Sequence, residues 1–418
     1  LTFSIWTTAA IVAAAIAGVI FRPFGIKEAI PAVAGAVLLA AAGLLPLGAA
    51  LRGVAQGTDV YLFLAGMMLL SELGRAEGLF DWLAGHTARL AGGSGARLFT
   101  LIYLMGTLVT MLLSNDATAV VLSPAVAAVA RSVRARNPLP YLLICAFVAN
   151  AASFVLPISN PANLVIYGRH LPPLLTWLRQ FGLASLLSVV ATYGLLRFTQ
   201  RAALRQPVGQ PDSVPALSPS GRLAGFGIAG TGILLLLASA FGIRLGLPTA
   251  LAGATTLALI GWRRRQIPWE SLKNISWSTL LLVAGLFVLV AALDRVGLAA
   301  VLADLLRTGT RLAPGATVWL TGILLGLAGN ATNNLPAGLI AGHAVQAAQA
   351  GPALTGAALI GVDLGPNLSV TGSLATILWL QALRREGIAV TAWQFLKLGL
   401  VIMPPALLLA LLGLVVSL

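Results

Sequence analysis

A chain of 418 residues that is 58% hydrophobic, 9% charged and +14 in net charge sits far from the globular norm of roughly 25% charged residues. So few charges cannot cover that much apolar surface in water, which excludes a soluble globular protein. The apolar runs are continuous, which excludes a β-barrel, and the cations fall in loops between them, which excludes a nucleic-acid-binding stripe.

In chain order, the runs predict spans near 2–21, 29–47 and 60–74, each read against the roughly 20 residues that cross a bilayer. The first lacks a small-residue cleavage site and reads as a span, not a signal peptide. Next comes a paired segment, 98–113 and 117–130, whose two somewhat short arms meet at Ser114-Asn115-Asp116. Spans near 141–167 and 174–198 follow. The stretch 206–220, rich in Pro, Ser and Gln, reads as a linker. Beyond it the pattern repeats: spans near 223–243, 247–262 and 277–293, arms 316–329 and 335–349 meeting at Thr332-Asn333-Asn334, then spans near 353–383 and 391–416. Polar triplets at the middle of apolar segments are expensive unless they line a site. An irregular tip is tolerated only where protein or a water-filled cavity surrounds it, the signature of a re-entrant hairpin.

The two halves match in detail. Gly25-Ile26-Lys27 before Pro31 parallels Gly242-Ile243-Arg244 before Pro248, and Ala65-Gly66 with Gly78-Leu79 parallels Ala284-Gly285 with Gly297-Leu298. Ile158-Ser159-Asn160 parallels Val370-Thr371-Gly372, and Trp177 with Gly182-Leu183 parallels Trp393 with Gly399-Leu400. Five spans per half is an odd number, so the halves face opposite ways. This topology puts 19 cations on one side against 7 on the other, of 26 in all, and the positive-inside rule makes the richer side cytoplasmic. The fold class expected is an all-α polytopic membrane protein of two inverted repeats, each of about five spans plus one re-entrant hairpin. The repeats cover 1–205 and 222–418, with hairpins at about 98–130 and 316–349 and a linker at 206–221. The linker and the mouth of the first hairpin face the cytoplasm, and the protein is a multi-pass protein of the cytoplasmic (inner) membrane.

Of the 12 acidic residues, only Asp116 and Asp363 lie well inside apolar stretches. An ionised carboxylate at that depth costs at least about 2.5–3.5 kcal/mol, so each needs a partner or a proton. Both are candidates for proton coupling. The position matching Asp116 is Asn334, and that matching Asp363 falls near Asn150, so the two acids are not symmetry mates and can take distinct roles. The remaining polar set is amides and hydroxyls: Asn115, Thr118, Asn160, Asn163, Asn333, Asn334, Asn367, Thr371 and Ser373 are the candidate substrate-binding residues. Asn160-Pro161-Ala162-Asn163 and Gly365-Pro366-Asn367 interrupt otherwise helical spans, freeing backbone groups as discontinuous transporter helices do. A kinked helix with interhelical hydrogen bonds is the plainer alternative for any one of these motifs. Cys145 stands alone, so neither an internal disulfide nor a thiolate metal cage is available. His86, His170 and His343 are scattered, with His343 on the second hairpin. There is no GxxxxGK loop, HExxH helix or GxSxG elbow. The expectation is a secondary transporter, not an enzyme, with no cofactor and no metal.

The run Gly361-Val362-Asp363-Leu364-Gly365-Pro366-Asn367, then Thr371-Gly372-Ser373-Leu374-Ala375-Thr376 and Trp379, resembles the arsenical pump membrane protein family of ArsB-type arsenite/antimonite efflux permeases. Asn115-Asp116 before Leu122-Ser123-Pro124 resembles that family's first hairpin, and Asn333-Asn334-Leu335-Pro336 its second. The resemblance covers essentially the whole chain. It implies efflux of As(III) or Sb(III) driven by proton influx, or by ATP where a soluble arsenite-stimulated ATPase is a partner. Beyond that cargo the partners are the lipid bilayer and no nucleic acid. The wider ion transporter superfamily implies the inverted hairpin architecture and suggests an elevator-like slide, often in homodimers. Arsenious acid is small, neutral and polyhydroxylated, which suits amides and hydroxyls without a charge clamp. The competing readings are a sodium/proton antiporter, a sodium-coupled carboxylate or other metabolite carrier, a passive channel, and a membrane anchor for a catalytic partner. Carboxylate carriers of the superfamily carry Ser-Asn-Thr at both tips, whereas an acid at position 116 would repel an anion.

Overall fold

The computed structural model describes residues 2–22, 25–168, 170–211 and 213–418, and among them it is helical with no strand. Arg169, counted above on the cation-poor side, and Asp212 of the linker lie outside the described residues. In the first half the helices are α1 (Thr2–Phe21), α2 (Ala29–Ala41), α3 (Leu47–Gln56), α4 (Thr58–Ala76), α5 (Leu79–Ala91) and α6 (Gly95–Leu112). Then come α7 (Asn115–Ala117), α8 (Ser123–Ser132), α9 (Leu139–Ala151), α10 (Pro161–Tyr167), α11 (Leu174–Thr199) and the short α12 (Arg201–Leu204). A π-helical turn, Thr118–Leu122, joins α7 to α8.

In the second half the helices are α13 (Pro219–Ala240), α14 (Gly246–Arg264), α15 (Trp269–Lys273), α16 (Trp277–Arg295) and α17 (Leu298–Leu312). They are followed by α18 (Pro314–Thr332), α19 (Asn334–Ala348), α20 (Pro352–Leu364), α21 (Leu374–Arg385) and α22 (Ala392–Ser417). Six helices among the described residues are long and apolar enough to cross a membrane, or seven if the bent pair α3–α4 is one span. One of the six is Gly95–Leu112, the arm before the first tip. That arm is longer than its hydropathy predicts, because Ser94 caps the helix by accepting from the Arg97 amide (3.3 Å) and so starts it earlier. Its length alone therefore does not mark it as an arm.

The element order after the linker repeats the order before it, and the paired sequence motifs have physical causes. Gly25 and Gly242 turn the chain after α1 and α13 with φ of 71° and 66°, which a side chain resists. Gly66 of α4 lies where a Cβ would come within 2.4 Å of the Thr249 carbonyl on α14, and Gly285 of α16 within 2.9 Å of Ala32 on α2. These are the two crossings that lock one half against the other, together with α11 against α22. The Trp pair differs: Trp177 is buried and Trp393 is exposed, so they share a place in the chain order and not an environment.

Apart from the short α12 and α15, hydropathy missed three of the described helices, α3, α5 and α17. Each carries charges among its apolar residues, such as Arg52, Arg89 and Arg307, and an amphipathic helix of this kind dilutes any hydropathy window. The predicted spans 141–167 and 353–383 are each broken, the first between Ala151 and Pro161 and the second between Leu364 and Leu374. Several Arg–Glu contacts involve arginines that the cation count placed on its richer side. Arg264 meets Glu77 (2.5 Å) and Arg131 meets Glu386, while Glu72 takes both Arg75 and the Asn274 amide. The linker runs along the same face, where Val208 and Gly209 donate backbone bonds to Gly93 and Val133 at the open end of the first arm pair.

Candidate transport site

Both polar triplets sit where one helix ends and another begins in strained backbone. Ser114 has φ 152° and ψ 168° and caps α7, and Asn333 has φ 74° and ψ 153° and caps α19. That region is open almost only to glycine and costs on the order of 1–3 kcal/mol. The capping residues correct the register of the sequence comparison by one position. Ser114 corresponds to Asn333 and Asn115 to Asn334, so Asp116 corresponds to Leu335 rather than Asn334. The breaks behave alike: Asn160 caps α10 and Ser373 caps α21, which pairs Asn160 with Ser373 and not with Gly372. A cap is fixed by which amides need an acceptor, information that a string comparison lacks.

Asp363 ends α20 with no exposed surface. Its carboxylate accepts from Ser153 Oγ (2.8 Å) and from Asn160 Nδ2 (2.8 Å), both in the break of the other half. Asn160 at the same time accepts from the Ala162 amide (3.0 Å). In the reverse direction, Asn367 of the second break accepts from Asn150 Nδ2 (3.0 Å) and donates to the Phe147 carbonyl (3.0 Å). Each broken helix is thus stitched to the other. Asn163 donates to the carbonyls of Ser153, Leu156 and Pro157, within 3.0–3.3 Å, and so satisfies backbone that the first break frees. Its Oδ1 is buried without a partner, as is that of Asn150.

The arm tips dock onto these breaks. The Asn115 amide donates to the Ser159 carbonyl (3.2 Å), and Ser159 Oγ donates to the Met111 carbonyl (3.2 Å). At the second tip, Asn330 donates to the Gly365 carbonyl (3.0 Å) and accepts from Ser369, while Thr371 donates to the Asn330 carbonyl (2.9 Å). The helix leaving the first tip packs on α21, and α19 packs on α10. Four capped helix N-termini, at Ser114, Asn160, Asn333 and Ser373, therefore belong to one interlocked group of elements. Asn334 is buried in the first turn of α19, and Ser373 is held by Thr376 (2.9 Å). Thr118 is joined to this group through its backbone and hydroxyl bonds to the Ser114 carbonyl (3.3 and 3.4 Å), and its hydroxyl meets Thr110 of the preceding arm (2.8 Å).

Asp116 stands apart from Asp363. It is half-buried and lines a cavity of about 140 Å³ with Ser71, Glu72, Asn274, Ser276 and Thr279. Glu72 is neutralised by Arg75 (2.6 Å), which leaves Asp116 as the unpaired acid there; no Lys or Arg among the described residues lines the cavity. The sequence reading missed Asn150, Ser153, Asn330, Ser369 and Thr376. Asn150 had a signal, since it fell opposite Asp363 in the repeat; Ser153 and Ser369 had none, because small hydroxyls are common in apolar helices. No cluster of metal-ligating side chains occurs among the described residues.

Residues 11–362 match the family described as citrate transporter, CitMHS. The chain belongs to that family. It is similar to an arsenical pump membrane protein of Escherichia coli, 27% identical over 412 residues and 93% of each chain. It is likewise similar to the arsenical pump membrane protein of Shigella flexneri, 28% identical over 409 residues and 93% of each chain. The resemblance carried by residues 361–379 is thereby extended along nearly the whole length. Among solved structures, the YdaH transporter of Alcanivorax borkumensis superposes with a TM-score of 0.56 at 17% identity, covering 88% of this chain and 86% of that one, which is a likeness of fold. As a CitMHS member with this helical architecture, the chain is a multi-pass membrane transporter.

Proposed function

We propose that the chain exports As(III) and Sb(III) across the cytoplasmic membrane in exchange for protons. The observation that carries this reading is the unpaired acid at the first tip, in a cavity whose other polar groups are hydroxyls, the Asn274 amide and a neutralised Glu72, set among apolar side chains such as Met68, Val120 and Ile275. Such a lining suits a small neutral polyhydroxy molecule and repels a polyanion. The cavity lies on the cation-rich face, which the positive-inside rule makes cytoplasmic. In this reading the arm pairs are re-entrant hairpins of two inverted repeats. With the stitched breaks they form a core that alternates access, and the crossings of α2, α4, α14 and α16 form the scaffold. Asp116 takes the proton beside the cargo. Asp363, held by Ser153 and Asn160, is the second proton-coupling acid and ties the two halves together. The names of the relatives support the cargo.

A second reading, carriage of a carboxylate, is supported by the family's description and by four helix N-termini whose partial positive charge suits an anion. Everted vesicles energised by a pH gradient decide between them. Arsenite uptake is expected in wild type and reduced at least about tenfold, a change of ~1.4 kcal/mol in the driving step, by Asp116→Asn. Gradient-driven citrate uptake without arsenite uptake overturns the proposal, and so does sodium-dependent proton flux without either.

A further inference from the structure

On the face opposite the Asp116 cavity, a second cavity of about 300 Å³ is lined by Asp59, His170, Arg244, His343 and Gln346. His343 stands on α19, the second arm, and its Nδ1 contacts Asp294 Oδ2 at the end of α16. Both side chains are about a quarter exposed, 27% and 29%, and His343 lines this cavity, so the pair is not sealed in the core. We propose that His343 and Asp294 form a proton-loaded latch that pins the second arm to the scaffold from the extracytoplasmic side. This rests on the proposed reading for the arm being a moving part.

The argument is one of placement and charge. α19 packs against α10, α16, α17, α18 and α20. Of these, α18 carries no charged residue and α10 none. Asp363 of α20 is turned to Ser153 and Asn160. On α17, Arg307 donates to the Ala347 carbonyl and is paired to Asp304 (3.1 Å), and Arg311 lies farther along the same helix. On α16, Arg295 follows Asp294. Asp59 lines the cavity while accepting from the Gly246 amide (3.0 Å), with Arg244 and His170 beside it. Imidazole is the side-chain type whose ordinary range lies nearest neutrality, and His343 is the one bonded across the arm–scaffold boundary. Protonated, it gives a charge-assisted bond to Asp294, roughly twice as strong as the neutral one. Deprotonated, it keeps only the weaker neutral bond, and the other polar ties of the arm are Arg307 to the Ala347 carbonyl and Gln346 to the Ile166 carbonyl (3.1 Å). A proton arriving from outside thus keeps the arm docked until it moves on.

The test needs no cargo. Hydrogen exchange of Asn334–Ala348 is followed in the full chain reconstituted in lipid, from pH 5 to 8, with rates corrected for intrinsic chemistry. In wild type, protection of the turns around His343 is expected to fall at least about tenfold as pH rises through the imidazole range. In His343→Gln and Asp294→Asn it is expected to be flat with pH. A flat wild-type profile, or a pH dependence that persists in either variant, overturns the latch. If one variant fails to fold, the other carries the same test. Loss of arsenite transport as a function would leave this result standing, since no cargo is present.

Discussion

Asp363 is the residue whose neighbours most constrain what it can do. Two donors from the other half, Ser153 Oγ and Asn160 Nδ2, point at its carboxylate in a site with no exposure. An amide in its place still satisfies both, with its oxygen facing Asn160 and its NH₂ facing the Ser153 hydroxyl, which rotates to accept. A leucine orphans Asn160 Nδ2 at a cost of about 1–3 kcal/mol, while Ser153 Oγ keeps the Asn150 carbonyl (2.7 Å). Asp363→Asn is therefore expected to melt near the wild-type temperature yet lose gradient-driven transport. Asp363→Leu is expected to melt well below both, read by thermal unfolding in detergent. If Asp363→Asn transports as wild type does, the acid is a structural acceptor and the coupling role falls to Asp116. Of the site residues, the two acids and most of the amides were legible in the sequence because each interrupts an apolar run. Their partners were not: nothing local to Ser153 or Asn160 says that Asp363, over 200 positions away, is what they hold.

At the scale of elements, the fit of α18, the arm before the second tip, depends on two glycine pairs. Gly322 and Gly326 of α18 face Gly361 and Gly365, and a Cβ on Gly361 or Gly365 would come within 2.3 Å of the Gly322 or Gly326 carbonyl. Backbone cannot yield as a side chain can, so the helices must separate. Gly365→Ala is expected to destabilise by about 1–3 kcal/mol, the usual cost of overpacking, and to break the Asn330 bond to the Gly365 carbonyl. Alanine at Gly182, which has open space around it, is expected to leave the melting temperature unchanged. Equal effects of the two substitutions would remove the seam from the account. Both seam helices show a Gly-x-x-x-Gly spacing in the sequence. The spacing marks a surface of close approach, and only the packed structure says which helix meets it.

For the whole molecule, the halves are joined less by the linker than by their crossings, α2 on α16, α4 on α14 and α11 on α22. A protease site inserted after the exposed Gln210 is expected to be cut in everted vesicles and spared in right-side-out ones, with the fragments still co-purifying. Cutting from the outside would reverse the orientation, and fragments that part would make the linker structural. Composition alone determined that this chain lives in a bilayer as helices, because a membrane offers the backbone no other hydrogen-bond partners. The same scarcity of polar residues made the triplets at 114–116 and 332–334 and the two helix breaks visible as a candidate site. What the tertiary structure decided was how those pieces interlock. It set the one-residue shift in register, the Asp363 carboxylate held by the opposite half, and His343 placed against Asp294. These depend on the packing of elements far apart in sequence, where a cap, a hydroxyl or a glycine gains its meaning from the neighbour it meets.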